Sequence, residues 1–179
     1  MNNLILTPET LTAENFSQFC QVISCEQKDY LTINNGYAKK YPDLATIDTQ
    51  EDGGTTAVHI FVAKKRQFPL QIMMLEKHPF FSQTFIPKDN LPFLVVVAPA
   101  SDEPNIEDIR TFISNGEQGV NYSRGVWHFP LISVKDDAKF IVIDRKHVID
   151  SDDIEQCIVH PIEDTNITLE LAYDENISI

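Results

Sequence analysis

The sequence predicts a mainly β fold, either a closed antiparallel barrel or a double-sheet jelly roll, with a few short helices. After Gly53 and Gly54, about eight short apolar runs have the composition of strands, Pro and Gly separate them, and one helical pattern interrupts them. A parallel α/β fold would need a helix after nearly every strand. With 179 residues, 42% of them hydrophobic, the chain is expected to form one domain over residues 1–179.

The region before the glycine pair is mostly irregular. A capping residue at Thr12, followed by Phe16 and Phe19, predicts a short helix over residues 12–19. Residues 34–51 are polar and lack a period, so they predict a long ordered loop or a connection with short helices. A lid over the functional site is one role that such a loop can have.

Apolar runs then predict the strands. These cover residues 56–63, 70–77, 83–87, 91–98, 126–134, 140–144, 154–160 and 167–173. A helix is predicted over residues 105–116, because apolar residues recur at helical spacing after the capping residue Asn105. Residues 93–97 are apolar on both faces, so this strand is either central and covered outside or buried in a subunit interface, which we favour.

The composition excludes several classes of partner. With a net charge of −13, a pI near 4.6 and scattered Lys and Arg residues, neither nucleic acid nor an acidic membrane is an expected partner. No run reaches the ~18–20 apolar residues that span a bilayer, and the N-terminus lacks signal-peptide features, so a cytoplasmic protein is expected. The three cysteines lack C-x-x-C spacing, so neither a disulfide framework nor a zinc knuckle is predicted.

Two polar segments in this β-rich sequence are candidates for a site, and each places a histidine near a proline at the end of an apolar run. Alternate strand residues share a face, so Glu76 and His78 lie together, and His128 lies inward if Trp127 packs outward. The polar residues of the two segments are Glu76, His78, Ser82 and Gln83 in the first, and Asn121, Tyr122, Arg124 and His128 in the second.

The same residues have an ordinary interpretation. A histidine near a strand end is more often a hydrogen-bonded structural residue than a ligand, and His59, His147 and His160 are interpreted in that way. Arg124 and Tyr122 could equally be loop residues. The residues taken one by one therefore leave the choice between a site and a structural role open.

Longer motifs resemble a known family. Residues 74–79, 82–87, 92–99, 119–122 and 124–128 resemble the ureidoglycolate lyase family, also called ureidoglycolate hydrolase, in the same order and at similar separations. The resemblance covers most of the chain and implies a cupin-like fold, a small-molecule substrate and a homodimer. It also implies a carbon–nitrogen lyase of the amidine-lyase type, which releases glyoxylate and urea from ureidoglycolate in allantoin breakdown, a part of purine metabolism.

The chemistry implied by this resemblance assigns roles to the polar residues. Cleavage needs a base, an acid and a cationic group or metal for the carboxylate. His78 and His128, with Glu76 and Gln83, are the candidate catalytic residues, acting directly or through a divalent metal. His78, Gln83 and His128 are the candidate metal ligands, and such N/O ligands suit nickel, manganese, iron or zinc. The candidate substrate-binding residues are Ser82, Asn121, Tyr122 and Arg124, with Arg124 or Lys77 for the carboxylate.

The chain departs from the family at two positions. Phe129 stands where the family usually has a second histidine, and Lys77 stands where it usually has an arginine. Strand parity turns both side chains away from the site, which predicts a packing role for Phe129. If the family's second histidine contacts substrate or metal, activity here would be slow, altered or absent. An alternative function is therefore a diverged cupin, either a binding module or another enzyme for a small hydroxy or keto acid.

Overall fold

The computed structural model of the chain describes residues 2–26, 28–146 and 156–171. His147 and the predicted strand residues 154, 155, 172 and 173 lie outside these ranges. The described strands are β1 (Asn2–Leu6), β2 (Glu9–Thr10), β3 (Cys20–Ile23), β4 (Leu31–Ile33), β5 (Ala38–Lys40), β6 (Thr56–Ala63), β7 (Leu70–Gln71), β8 (Met74–Lys77), β9 (Gln83–Pro87), β10 (Phe93–Ala98), β11 (Arg110–Ile113), β12 (Gly119–Tyr122), β13 (Trp127–His128), β14 (Ile132–Ser133), β15 (Ala138–Arg145), β16 (Ile158–Pro161) and β17 (Thr165–Leu169). The described helices are single 3₁₀ turns at Asn34–Gly36, Glu51–Gly53 and Ile106–Asp108.

These strands form three main layers. A five-stranded sheet has the order β3-β12-β9-β15-β6, and a seven-stranded sheet has the order β16-β8-β13-β10-β11-β2, with β14 also paired to β10. A three-stranded sheet has the order β1-β17-β7, and β4 and β5 form a separate hairpin. The mainly β, jelly-roll-like prediction is confirmed, but the sheets do not close into a barrel. Within the described ranges, no helix is long and apolar enough to span a bilayer.

The first core lies between the five-stranded and seven-stranded sheets. Phe112 is fully buried there, and its ring packs edge-on against Phe16, with ring centroids 5.2 Å apart, and against Phe19, at 5.9 Å. Phe93 and Phe140 make a similar edge contact across the two sheets, at 5.3 Å. Aromatic pairs of this geometry add stability beyond the area they bury.

The second core lies on the other face of the seven-stranded sheet, against the three-stranded sheet. Leu94 and Val96 of β10 point into this core, whereas Val95 and Val97 point into the first one. The chain itself therefore covers both faces of β10. The prediction that this strand lies in a subunit interface is wrong, and its double-sided apolar pattern follows from its place in the middle layer.

The helix predicted over residues 105–116 is mostly a strand. Only Ile106–Asp108 forms a helical turn, and the Asn105 side chain caps it by accepting a hydrogen bond from the backbone N–H of Glu107. Arg110–Ile113 then pairs with β10 in antiparallel register. The apolar spacing that indicated a helix arises because residues on both faces of β11 are covered, and pairing with the central strand outweighs local propensity.

Residues 13–19 form hydrogen-bonded turns and not the predicted helix. The backbone N–H of Thr12 donates to Asn15 Oδ1 at 3.0 Å, and the backbone N–H of Asn15 donates to Thr12 Oγ1 at 3.1 Å. Phe16 and Phe19 are nevertheless buried in the first core. The apolar spacing thus predicted burial correctly, while the reciprocal polar bonds close a turn too short for a helix.

The long polar segment is fastened to the outer face of the five-stranded sheet. The backbone N–H of Asp48 donates to Ser82 Oγ at 2.8 Å, and the backbone N–H of Ser82 donates to the Asp48 carbonyl oxygen at 2.7 Å. The Thr49 and Thr56 hydroxyl oxygens lie 2.7 Å apart. None of residues 34–51 is among those that line the cleft described below. These hydrogen bonds hold the segment, here called the polar clasp, against the sheet, and its role as a lid stays a prediction.

Candidate active site

Three polar side chains meet at one end of the first core. Glu76 lies in β8, His78 follows that strand, and His128 lies in β13 directly opposite Glu76. Trp127 points into the second core, so strand alternation turns His128 toward the first. The structure therefore brings together the three side chains that strand parity placed on one face.

Both histidines have a fixed tautomer. His128 Nδ1 lies 3.0 Å from the Val126 carbonyl oxygen, and His78 Nδ1 lies 3.0 Å from the Gln156 carbonyl oxygen. A carbonyl oxygen can only accept, so Nδ1 carries the proton in each ring and Nε2 presents a lone pair. Both Nε2 atoms are buried, and neither has a hydrogen-bond partner among the described residues.

These two nitrogen atoms converge with a carboxylate. His128 Nε2 lies 3.6 Å from Glu76 Oε1, and one ligand atom each from Glu76, His78 and His128 lie within 4.8 Å of one another. Unpartnered buried polar atoms carry a free-energy cost and call for an explanation. Imidazoles whose second nitrogen is bonded to the backbone are typical metal ligands, so this donor set fits a divalent metal of the N/O class.

Burial sets the protonation of the groups around the cluster. It lowers the pKa of His128 to about 3, and the nearby His78 adds to this effect. The Tyr122 ring stacks on His128 with centroids 4.6 Å apart. Burial also raises the pKa of the Tyr122 phenol well above its usual value, with Cys20 and Glu76 contributing. At neutral pH the imidazole is therefore a neutral lone-pair donor, and the phenol keeps its proton.

The five-stranded sheet provides the facing wall. Gln83 of β9 pairs with Tyr122 of β12, and its side-chain nitrogen donates to Asp144 Oδ2 at 3.1 Å. His59 Nε2 lies 3.0 Å from the other carboxylate oxygen of Asp144. Gln83 and Tyr122 were predicted from the sequence as site residues. Asp144 was not predicted, and His59 was predicted to have a structural role. The structure brings all four together on one wall.

A cleft of about 610 Å³ opens between the two sheets. Glu76 lines it from the seven-stranded sheet and Gln83 from the five-stranded sheet, while Phe61 and Phe85 provide apolar walls. Among the described residues that line the cleft, the basic ones form a single run at its rim, Lys64-Lys65-Arg66. No functional role was predicted for this run from the sequence.

None of the four predicted substrate-binding residues is among those that line the cleft. Tyr122 is buried against Phe85, with ring centroids 5.8 Å apart, and Ser82 and Asn121 lie on the outer side of the sheet. Ser82 accepts from the backbone of Asp48, as described above. Asn121 points to the outer face of β12, where its Oδ1 accepts from Thr84 Oγ1 at 2.7 Å and its side-chain nitrogen donates to Gln21 Oε1 at 2.8 Å. Both side chains hold the polar clasp against the sheet, and neither lines the cleft.

The two predicted carboxylate-binding cations are engaged elsewhere. Arg124 Nε lies 2.7 Å from Asp48 Oδ2, and its Nη1 lies 2.7 Å from Glu51 Oε2. Lys77 Nζ lies 4.4 Å from the Trp127 ring centroid, on the side of the second core. The prediction that Lys77 points away from the site is confirmed, and the structure does not bring Arg124 to the cleft.

Phe129 lies on the far side of the sheet from the histidine cluster. Its ring is buried in the second core together with Trp127 and Leu94, and the Arg66 guanidinium carbon lies 5.8 Å from the ring centroid. The packing role that strand parity predicted for Phe129 is confirmed. The loss of a histidine at this position therefore leaves the inward groups of the site unchanged.

One sequence signal could have identified Asp144. In β15, inward positions alternate with outward ones, and the carboxylate ends an inward series that is otherwise apolar. The inward series of β15 is Ala138, Phe140, Val142 and Asp144.

Comparison with known proteins finds a family match over most of the chain. Residues 3–166 match the ureidoglycolate lyase family. The chain is 48% identical over 141 residues to a ureidoglycolate lyase of Azotobacter vinelandii, covering 79% of this chain and 85% of that protein. It is 49% identical over 140 residues to one of Stutzerimonas stutzeri, covering 78% and 82%.

Among solved structures, RmlC from Streptococcus suis in complex with dTDP-D-xylose matches 80% of this chain and 73% of that chain, at a TM-score of 0.44 and 11% identity. A likeness at that level carries no argument. The sequence match over most of the chain shows that this protein is a member of the ureidoglycolate lyase family.

Proposed function

We propose that the chain cleaves ureidoglycolate into glyoxylate and urea, as a carbon–nitrogen lyase of the amidine-lyase type in allantoin degradation. The observation that carries the proposal is the convergence of Glu76, His78 and His128 in a member of this family. Relatives named for the activity share 48% identity over most of the chain. A cytoplasmic location is part of the proposal, and the cysteine spacing supports it.

The reaction asks three things of the protein. The reacting carbon of ureidoglycolate carries a hydroxyl, a carboxylate and the ureido nitrogen. Loss of the hydroxyl proton lets the O–H electrons form the carbonyl of glyoxylate. The C–N bond breaks, its electron pair goes to the departing urea nitrogen, and that nitrogen takes up a proton. The site must therefore accept one proton, donate another and hold an anion.

The histidine cluster meets the first of these demands. A divalent ion, such as nickel, manganese or zinc, held by His78 Nε2, His128 Nε2 and Glu76, would polarise the substrate hydroxyl and ease loss of its proton. The backbone carbonyls behind the two rings hold them in the required tautomer. Asp144 on the facing sheet holds the side-chain nitrogen of Gln83, which leaves its amide oxygen as the free acceptor, and we assign this oxygen to the substrate. Without an ion, Glu76 or His78 would accept the proton, because the lowered pKa of His128 makes its nitrogen a weak base.

Tyr122 is suited to the second demand. Its raised pKa keeps the phenol protonated, and its stacking on His128 places the ring beside the cluster. A protonated phenol can donate a hydrogen bond to the substrate, which fits the assignment of Tyr122 as a substrate-binding residue. Phe85 lines the cleft and packs against Tyr122, with ring centroids 5.8 Å apart, so the phenol lies one ring behind the cleft wall.

The first test measures the release of glyoxylate and urea from ureidoglycolate by the purified protein. We expect release above the spontaneous rate, loss of activity after chelation, and recovery with nickel, manganese or zinc. Release that persists after chelation would support the lyase activity and contradict its dependence on a metal. Thermal stabilisation by glyoxylate without any urea release would instead support the binding-module alternative.

The basic run at the rim is proposed to hold the substrate carboxylate. Lys64, Lys65 and Arg66 have no acidic side chain paired with them among the described residues. The charges of the two lysines are available to an anion, and Arg66, whose guanidinium lies over the Phe129 ring, adds to the positive charge of the run. The backbone beneath them is fixed, since the Lys65 N–H donates to Asp136 Oδ1 at 2.9 Å. In a chain with a net charge of −13, such a run provides local attraction for an anionic substrate.

Replacing all three residues by glutamine is expected to raise KM for ureidoglycolate about tenfold, since exposed charges contribute up to about 1 kcal/mol each and a tenfold change is about 1.4 kcal/mol. Steady-state kinetics at low and high salt should show a KM that depends less on salt in the variant. The matched control replaces Lys28, Lys39 and Lys40, near the separate hairpin. An equal rise in KM in the control would contradict a specific role for the rim.

A homodimer is proposed to form through β6, the edge strand of the five-stranded sheet. Val58, Ile60 and Val62 project from one face of this strand and are 54–67% exposed. Ile141 and Ile143 of the neighbouring β15 lie beside them and extend the aliphatic surface. An unpaired apolar edge is a template for pairing, and two copies of one strand related by a two-fold axis satisfy each other.

Ile60→Lys is expected to convert the dimer to a monomer, because a charge on an edge strand opposes strand pairing. Light scattering coupled to size-exclusion chromatography reads out the mass directly. Met73→Lys is the control, because Met73 is 70% exposed and lies outside β6. A wild-type monomer, or a dimer that persists in Ile60→Lys, would contradict this interface.

A further inference from the structure

A chain of hydrogen bonds runs along the wall that faces the histidine cluster. It connects Gln83 of β9, Asp144 of β15 and His59 of β6, three neighbouring strands of one sheet. Gln83 Nε2 lies 3.1 Å from Asp144 Oδ2, and His59 Nε2 lies 3.0 Å from Asp144 Oδ1. Neither the reaction steps assigned above nor the histidine cluster accounts for the presence of Asp144 and His59.

The carboxylate determines which way the neighbouring amide points. An ionised carboxylate can only accept hydrogen bonds, so the Gln83 group next to Asp144 must be the NH₂ group. The amide oxygen is then the end that remains for other partners, and it has no hydrogen bond among the described residues. Gln83 lines the cleft, so this acceptor is available to a bound ligand.

Burial makes this arrangement rigid. Gln83 and Asp144 are each 8% exposed, and a buried carboxylate is stable only when its oxygens are paired. His59 pairs with one oxygen from the half-exposed edge strand, which leaves the other oxygen for Gln83. A glutamine without such a neighbour could present either its NH₂ group or its oxygen to the cleft. Here only the oxygen is presented.

We propose that Asp144, held by His59, is a positioning residue that fixes Gln83 as the acceptor for the N–H groups of the substrate's ureido end. This inference rests on the proposed function. It gives the substrate a direction in the cleft, with its ureido end toward Gln83, its hydroxyl toward the histidine cluster and its carboxylate toward the rim. A site that accepts from N–H groups discriminates strongly against ligands that lack them.

Two probes separate the ends of the substrate. Ureidoacetate keeps the ureido group and the carboxylate but has no hydroxyl to lose, whereas glycolate keeps the hydroxyl and the carboxylate but has no ureido group. Asp144→Asn conserves the shape of the side chain but allows the Gln83 amide group to rotate, so that either its NH₂ group or its oxygen can face the cleft. We expect it to weaken ureidoacetate binding about tenfold and to leave glycolate binding within about twofold, measured by calorimetry on the protein as purified.

Further variants distinguish positioning from folding. His59→Asn keeps a donor for the carboxylate and is expected to retain most of the affinity for ureidoacetate, whereas His59→Ala loses part of it. Asp89→Asn is the control, because the Asp89 carboxylate accepts a hydrogen bond from the backbone N–H of Lys139 at 3.0 Å and lies outside the cleft lining. Thermal unfolding of each variant checks that it remains folded.

The outcomes are distinct. If Asp144→Asn weakens the binding of ureidoacetate and glycolate equally, Asp144 has a structural role and the inference is overturned. Unchanged binding of ureidoacetate would also overturn it. Selective weakening in a protein that releases no urea would support the ureido-binding wall and contradict only the lyase activity. A wild-type protein that does not bind ureidoacetate would overturn the inference, whatever the turnover.

Discussion

Exchanging His128 for alanine is expected to abolish turnover of ureidoglycolate while the protein stays folded. His128 contributes the most deeply buried of the two unpartnered imidazole nitrogens, and it lies opposite Glu76 across a strand pair. Groups that move protons in a transition state contribute about 10²–10⁴-fold to rates, and loss of a metal ligand removes the ion as well. The variant should therefore fall to the spontaneous rate at any metal concentration.

Two measurements check this prediction. Glyoxylate release gives the rate, and metal analysis after dialysis gives the stoichiometry, which is expected to fall from one ion per chain to none. Phe129→Leu is the matched control, because Phe129 is the next residue in sequence but faces the second core. It should retain activity and metal with a small loss of stability. Turnover at the wild-type rate in His128→Ala would remove His128 from the mechanism.

Phe112→Ala is expected to lower the free energy of unfolding by about 3–5 kcal/mol, the usual cost of deleting a buried aromatic ring. Phe112 has no exposed surface, and its ring packs edge-on against Phe16 and close to Phe19. Its removal takes away the contact that joins the N-terminal turn to the central sheet. The cavity has little chance to collapse, because strand pairing on β10 fixes the backbone around it.

Guanidinium denaturation measures this loss without adding urea, which is a product of the proposed reaction. Met73→Ala is the control, because Met73 is 70% exposed and its truncation should change stability by less than about 0.5 kcal/mol. A loss below about 1 kcal/mol in Phe112→Ala would mean that the two phenylalanines of the turn pack equally well without it.

The inward groups of the site could be predicted because strand alternation is a property of the backbone. Knowing that Trp127 is buried in an outer layer is enough to turn His128 inward, and the same rule places Glu76 and His78 together. The rule also accounts for the outward position of Lys77. These predictions needed no knowledge of which strands are neighbours in space.

The residues whose surroundings could not be predicted depend on partners far away in sequence. Arg124 was predicted to bind the substrate carboxylate, but in the fold it is paired with Asp48 and Glu51 of the polar clasp. His59 was predicted to have a structural role, and only the pairing of β6 with β15 places it next to Asp144. Alternation gives the face on which a side chain lies, but only the order of strands gives its neighbours.

The helix prediction over residues 110–113 was wrong for a related reason. Its apolar residues are covered on both faces, since Phe112 points into the first core and Ile113 packs against the second. Double coverage erases the period of two and produces a spacing that resembles a helix. The middle layer of a three-layer fold is therefore the hardest to identify from its own sequence.

The position of Phe129 affects how relatives of this protein should be compared. Two adjacent histidines in a motif invite the conclusion that both take part in chemistry, and a chain that keeps only one would be set aside as degenerate. Here His128 faces the cluster with Glu76 and His78, whereas Phe129 faces the second core on the opposite side of the sheet. Variation at the second position is expected to track the residues of the layer beneath it and to be independent of substrate choice.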